Sequence, residues 1–346
     1  MKIIMKAIGI ILAGIVLLAA ILFGAVLLRP SIVTDALQSL IYQDKSDINP
    51  SSPRREPGQA VRSNGILYVN DIKYGETYPN SYLDISYPSS DTSVKRTTVI
   101  YFHGGGFFAG DKVLGDPMAE RDDSTALFDK MIQAGFNFVN VNYVLMPDYH
   151  FPDPLIQISE AVNYLVEHGA ELGLDMEDVV LFGQSAGAEL AAQYAAVLSN
   201  GEYRALFAFT KEPRLQVSDI RAAVIDDAPL EVELLEGLPI KILAGAYLQD
   251  SVFLWDKAEA DRFSATRYIT PNYPRSFLTA GTDDGFPEIM QHFADRLAGH
   301  GVEHEYFYTD EATYGLTKHG FLSNTESRES QDCFEAMLRF IREEQK

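Results

Sequence analysis

Gly183-Gln184-Ser185-Ala186-Gly187 sets one serine between two glycines, directly after an apolar run at residues 179–182 and directly before a helical pattern at residues 186–198. A hydroxyl becomes a useful nucleophile when a tight turn lifts it clear of the backbone and a nearby base can take its proton. Glycines suit such a turn, because a side chain on either flank would collide with neighbouring backbone. The helix that follows directs the positive end of its dipole at the serine and favours negative charge there. An ordinary strand–helix turn uses the same residue types, so the pentapeptide draws its meaning from what accompanies it.

Upstream, after another apolar run at residues 97–102, stands His103-Gly104-Gly105-Gly106-Phe107. Three glycines leave backbone N–H groups uncovered, and such donors stabilise the oxyanion that forms when a nucleophile adds to a carbonyl. The run lacks both the Lys-Ser/Thr ending of a phosphate loop and the spacing of a dinucleotide fingerprint. His103 reads as a residue that orients this loop. In chain order a nucleophilic serine on such a turn is followed by a carboxylate and then a histidine. Of the downstream histidines, His292 falls in a helical pattern, and His300 and His304 flank the start of a strand pattern. His319 lies in the loop Thr317-Lys318-His319-Gly320-Phe321, between the last strand and the last helix, where a base belongs. The carboxylate is expected just past the strand at 276–280, where Asp283 and Asp284 both qualify. The lone Cys333 sits in an amphipathic stretch, cannot form an intramolecular disulfide, and has no site-like neighbours.

These groups need a scaffold. Short apolar runs at 97–102, 136–144, 179–182, 222–225, 276–280 and 305–308 read as strands buried on both faces. Helical patterns at 124–134, 155–168, 186–198, 287–300 and 333–342 alternate with most of them, which implies a mainly parallel sheet covered on both sides. Two further stretches, 66–74 and 81–87, look like an antiparallel edge. About fifty residues separate the strands at 222–225 and 276–280; with helical patches at 230–235 and 251–263 they read as a cap over the strand ends, at about 229–270.

Residues 7–28 carry no charged or strongly polar side chain, and a helix of that length spans about 33 Å, a bilayer core. Lys2 and Lys6 precede the run, which favours a cytoplasmic N-terminus. The expected organisation is a cytoplasmic tail at 1–6, a transmembrane anchor at 7–28, a Pro- and Ser-containing juxtamembrane tether at 29–65 and a catalytic domain at 66–346, outside the cytoplasm. Secretion after signal cleavage is the competing reading. The net charge of -21 argues against nucleic acid as a partner.

The motifs together resemble the hormone-sensitive-lipase-like esterases of the α/β-hydrolase fold, a group that includes bacterial acetyl- and carboxylesterases. The resemblance rests on HGGGF, GQSAG and the late HGF in that order, with Asn142-Tyr143-Val144-Leu145-Met146-Pro147 and Phe151-Pro152 similar to a "DYRLAPE…FP" segment. It implies a catalytic triad of Ser185, Asp284 and His319, since Asp284-Gly285-Phe286 is similar to the family's "DPL". It also implies an oxyanion hole from the N–H groups of Gly104, Gly105 and Ala186, and hydrolysis of a small-molecule carboxylic ester through an acyl-enzyme. No metal or cofactor is implied. Gln184, Glu189 and Val144 depart from the pattern and bear on substrate rather than mechanism. A peptidase or amidase with the same triad, and a catalytically silent surface-binding module, are the alternatives.

Overall fold

The computed structural model describes residues 2–42, 44–121, 123–283 and 285–343; the side chains of residues 2–14 and 45 lie outside that description. The strands are β1 (Gly58–Val61), β2 (Leu67–Lys73), β3 (Tyr82–Tyr87), β4 (Thr97–Phe102), β5 (Asn137–Val141), β6 (Asp175–Gln184), β7 (Ile220–Asp226), β8 (Ser276–Ala280) and β9 (His304–Tyr308). They form one sheet in the order β1-β2-β3-β5-β4-β6-β7-β8-β9. The pairs from β1 to β5 are antiparallel and all pairs from β5 onward are parallel.

The helices are α1 (Lys2–Leu28), α2 (Ser31–Ile41), α3 (Thr125–Gln133), α4 (Asp153–Leu172), α5 (Ala186–Ser199), α6 (Gly201–Arg204), α7 (Leu238–Tyr247), α8 (Lys257–Phe263), α9 (Pro287–Gly299), α10 (Glu311–Tyr314) and α11 (Arg328–Arg342). Strand periodicity divides the core between the two sheet faces. Ile100, Phe102 and Leu181 pack with α4, α5 and α9, whereas Val99, Tyr101, Val180 and Phe182 pack with α3 and α11. The mostly parallel sheet with helices on both faces matches the expected fold class. Helix α4 outruns its apolar pattern, beginning with Asp153 and Pro154 in its first turn and stopping where Gly173 turns left-handed at φ 67°.

The cap consists of α7, α8 and single helical turns at Val232–Leu234 and Ala265–Tyr268. Helix α7 was not visible as a helix in the sequence, because its stretch is apolar nearly throughout and lacks a polar face to mark the period.

Residues 29–65, expected as a tether, instead fold onto the domain. Helix α2 packs against α7, β1 extends the sheet edge, and the Asn49 amide exchanges hydrogen bonds of 2.9 and 2.8 Å with the Leu145 backbone. Arg55 reaches the buried Asp84 at 2.8 Å, and Lys112 holds Asp84 and Asp71 at 2.6 and 2.8 Å. Helix α1 runs into α2 through a sharp bend. Among the described side chains no single helix is long and apolar enough to cross a membrane, but Ile15–Leu28 and Ser31–Ile41 meet that test together, bent by 91°.

Candidate active site

Sheet register gathers the site at the carboxyl ends of adjacent parallel strands. Phe102 on β4 lies opposite Gly183 on β6, and Gln184 lies opposite Asp226 on β7. The His103 loop, Ser185 and Asp227 therefore leave the sheet side by side. In open α/β sheets this end is where crevices form.

Ser185 holds φ 55° and ψ -119°, a conformation that a non-glycine residue adopts only under constraint. The constraint is visible on both sides. Its N–H donates to the Asp226 carbonyl at 2.8 Å, and α5 begins at the next residue. Close packing explains Gly187: a Cβ there would stand 2.0 Å from the Phe102 carbonyl oxygen. Gln184, one of the departures from the family pattern, is buried and accepts hydrogen bonds from Tyr101 at 3.1 Å and Ser124 at 3.4 Å. Glu189 is fully buried on α5, and burial raises its carboxyl well above the usual range.

The glycine loop turns at Gly105, whose φ of 106° excludes other residues; a Cβ there would also meet the Ala109 carbonyl at 2.2 Å. Among the described residues the N–H groups of Gly104, Gly105 and Ala186 have no hydrogen-bond partner. His103 is buried beneath this loop, stacked on Tyr143 at 4.2 Å, with Nδ1 2.8 Å from the Gly104 carbonyl oxygen. Burial pushes its pKa down to about 4, which keeps it neutral and fits a loop-orienting role.

His319 is nearly buried, with the Phe286 ring packed edge-on against it. Its Nδ1 lies 3.1 Å from Oδ2 of Asp227, close enough for an ion pair but oblique to a straight hydrogen bond. Asp227 is fully buried and anchored by the N–H of Phe286 at 2.7 Å and that of Gly281 at 3.3 Å. Sequence reasoning missed this residue. Of the two aspartates expected to orient the base, Asp284 lies outside the described residues. Asp283 is exposed, its backbone N–H bonded to the Thr317 carbonyl at 2.7 Å. The one signal for Asp227 was an Asp226-Asp227 pair at the end of the strand beside the serine.

The electrostatics are acidic. Burial disfavours the His319 imidazolium, but Asp227, Asp116 and Asp226 together outweigh it and lift the pKa above its ordinary value. Burial raises the Asp226 carboxyl to about 7, against a hydrogen bond from Thr279 that lowers it. Asp116, buried beside the glycine loop, is also raised by burial.

Ser185 and His319 line the same cavity, about 370 Å³ in volume. Most of the remaining wall is apolar: Phe107 and Phe286 from the core, and Leu235, Ile240, Leu243 and Phe263 from the cap. Tyr247 of α7 stacks face to face on Phe107 at 3.8 Å and ties the cap to the glycine loop.

A family model described as BD-FAE matches residues 83–293. The chain is similar to esterase LipI of Mycobacterium tuberculosis, 31% identical over 108 residues, which is 31% of each chain. It is also similar to the probable carboxylic ester hydrolase LipM of the same organism, 25% identical across 66% of this chain and 51% of that one. It thus spans about a third to a half of these curated relatives. Among solved structures, esterase B of Lactobacillus rhamnosis superposes with a TM-score of 0.68 at 21% identity, over 90% of this chain and 91% of that one. Esterase LipW of Mycobacterium marinum gives a TM-score of 0.61 at 21% identity, over 81% and 82%. These likenesses show a shared α/β-hydrolase fold.

Proposed function

This chain belongs to the BD-FAE family, within the hormone-sensitive-lipase-like α/β-hydrolases, and we propose on that footing that it is a serine esterase acting on small-molecule carboxylic esters. The observation that carries the reading is Ser185 on a strained strand-to-helix turn, sharing an apolar cavity with His319, which in turn contacts a buried carboxylate. The names of the relatives, esterases and ester hydrolases, support the substrate class.

In the proposed mechanism His319 Nε2 takes the Ser185 proton as Oγ adds to the ester carbonyl. The carbonyl oxygen becomes an oxyanion facing the free N–H groups of Gly104, Gly105 and Ala186. The imidazolium then protonates the alkoxide leaving group as the C–O bond breaks. Water, deprotonated by the same imidazole, cleaves the acyl-enzyme and restores Ser185. Asp227 holds Nδ1–H in the tautomer that leaves Nε2 free and stabilises the imidazolium formed in each half-reaction; the role first assigned to Asp284 passes to Asp227 in this reading. The apolar walls provide a dry pocket for the apolar part of the ester.

We also propose that the apolar N-terminal helix anchors the protein in a membrane, with the catalytic domain outside the cytoplasm. Lys2 and Lys6 ahead of the apolar run support that orientation. Fluorophosphonate labelling of Ser185, with turnover of p-nitrophenyl esters against aminoacyl amides, tests the chemistry. Absence of label or a preference for amides overturns it. A reporter fused at the C-terminus tests the topology, with an inside-facing signal as the refuting result.

A further inference from the structure

Helix α2 is built inside out. The residues it buries are Thr34 and Gln38, four apart on one stripe, and Gln38 Nε2 spends its hydrogens on the carbonyls of Phe108 and Met146. The residues it turns outward include Ile32, Leu37, Leu40 and Ile41, with Leu40 84% exposed. A surface helix in water has the reverse arrangement, its apolar stripe against the core.

The next exposed element is just as apolar. Phe253 and Trp255 are 54% and 64% exposed and stack on each other at 5.4 Å. They belong to the loop that meets the end of α1, where the Val252 N–H donates to the Leu27 carbonyl at 3.0 Å. This apolar face is thus continuous with the exposed apolar surface of α1, which includes Leu22, Phe23 and Leu28. The bend of 91° between Ile15–Leu28 and Ser31–Ile41 turns α2 across the α1 axis. With α1 along the bilayer normal, α2 lies in the plane of the bilayer surface. Exposed aromatic rings at that level are the side chains that favour the headgroup boundary.

Helix α7 links this face to the cavity. One side packs on α2, with Pro30 at the start of α2 so close that a side chain at Gly245 would crowd it, while Ile240, Leu243 and Tyr247 form cavity wall over Ser185. We infer that the outer face of α2 and the Phe253–Trp255 pair seat in the headgroup–acyl boundary of a lipid bilayer, so that the cavity beneath α7 takes esters with long acyl chains dissolved in that bilayer. This rests on the esterase and anchor readings above. The net charge of -21 directs the face to an uncharged or zwitterionic surface rather than an anionic one.

Trp255 is the only tryptophan in the chain, so its fluorescence reports this face alone. The test is full-length protein reconstituted in phosphatidylcholine vesicles with and without brominated acyl chains. The expected result is quenching by the brominated lipid and protection from aqueous iodide. Full iodide access with no bromine quenching overturns the inference. In the same vesicles, F253S/W255S and L37S/L40S should lower kcat/KM for a vesicle-borne long-chain ester by about tenfold while leaving p-nitrophenyl acetate hydrolysis unchanged. An equal fall for both substrates, or for neither, also refutes it. Fluorophosphonate labelling and p-nitrophenyl acetate turnover of the unsubstituted protein report the esterase reading separately, and a topology reporter does so for the anchor.

Discussion

Replacing Asp227 by asparagine removes a charge without changing the shape of the side chain, and it isolates what the carboxylate does for His319. At the 3.1 Å separation observed, a full charge pair is worth about 5 kcal/mol at an effective dielectric of about 20. That is an upper figure, because Asp116 and Asp226 stay behind and continue to favour the imidazolium. Each pKa unit corresponds to about 1.36 kcal/mol, so the D227N variant should lower the His319 pKa, by at most about four units. The sign follows from the base's role. Activity needs neutral imidazole, so wild-type activity falls as pH drops through a His319 pKa lying above its ordinary value, and in D227N this acid limb moves to lower pH. The plateau should also fall, by about 10³- to 10⁴-fold, because the amide no longer secures the tautomer or stabilises the imidazolium. The assay is kcat/KM for a soluble p-nitrophenyl ester between pH 5 and pH 10, with D284N measured in parallel. A D227N enzyme with wild-type plateau and limb, beside a D284N enzyme that is nearly dead, would refute the reasoning and return the role to Asp284.

The other predictions concern the rest of the site and its frame. S185A should abolish fluorophosphonate labelling and cost at least about 10³-fold in kcat, with near-wild-type turnover as the refuting result. At Gly105, alanine must meet both a φ of 106° and the Ala109 carbonyl, so G105A should lower kcat by about 10²- to 10³-fold with a smaller change in KM. Asp226, raised by burial to about 7, disfavours folding increasingly as pH rises from its unfolded value near 4 through 7. D226N should therefore raise Tm relative to wild type at pH 8 and not at pH 4, as read by thermal melts at both pH values. Lys112 neutralises Asp71 and Asp84 in a buried cluster, so K112A should destabilise by about 3–5 kcal/mol in denaturant titrations. A loss below about 1 kcal/mol would mean that Arg55 alone suffices.

Local features of the chain point to the serine, the glycine loop and the histidine, and the structure brings Ser185 and His319 to one cavity. Each announces itself within five residues, because a tight turn, an uncovered backbone and a loop between the last strand and last helix are short-range requirements. The alternation of apolar runs and helical patterns likewise determined the parallel sheet. What required the tertiary structure is everything set by register and by packing between distant segments. Asp227 meets His319 because β7 pairs with β6 and brings residue 226 level with Gln184; no spacing along the chain expresses that neighbourhood. The stretch at 29–65 reads as a tether since its prolines and polar residues lack a period, yet Gln38, Asn49 and Arg55 find buried partners on the loops and strands they cross. Helix α2 is the sharpest case. Only the fold shows that residues 31–41 form a helix with Thr34 and Gln38 turned inward, because Gln38 finds the backbone carbonyls of Phe108 and Met146 there, and that Ile32, Leu37, Leu40 and Ile41 are left outward.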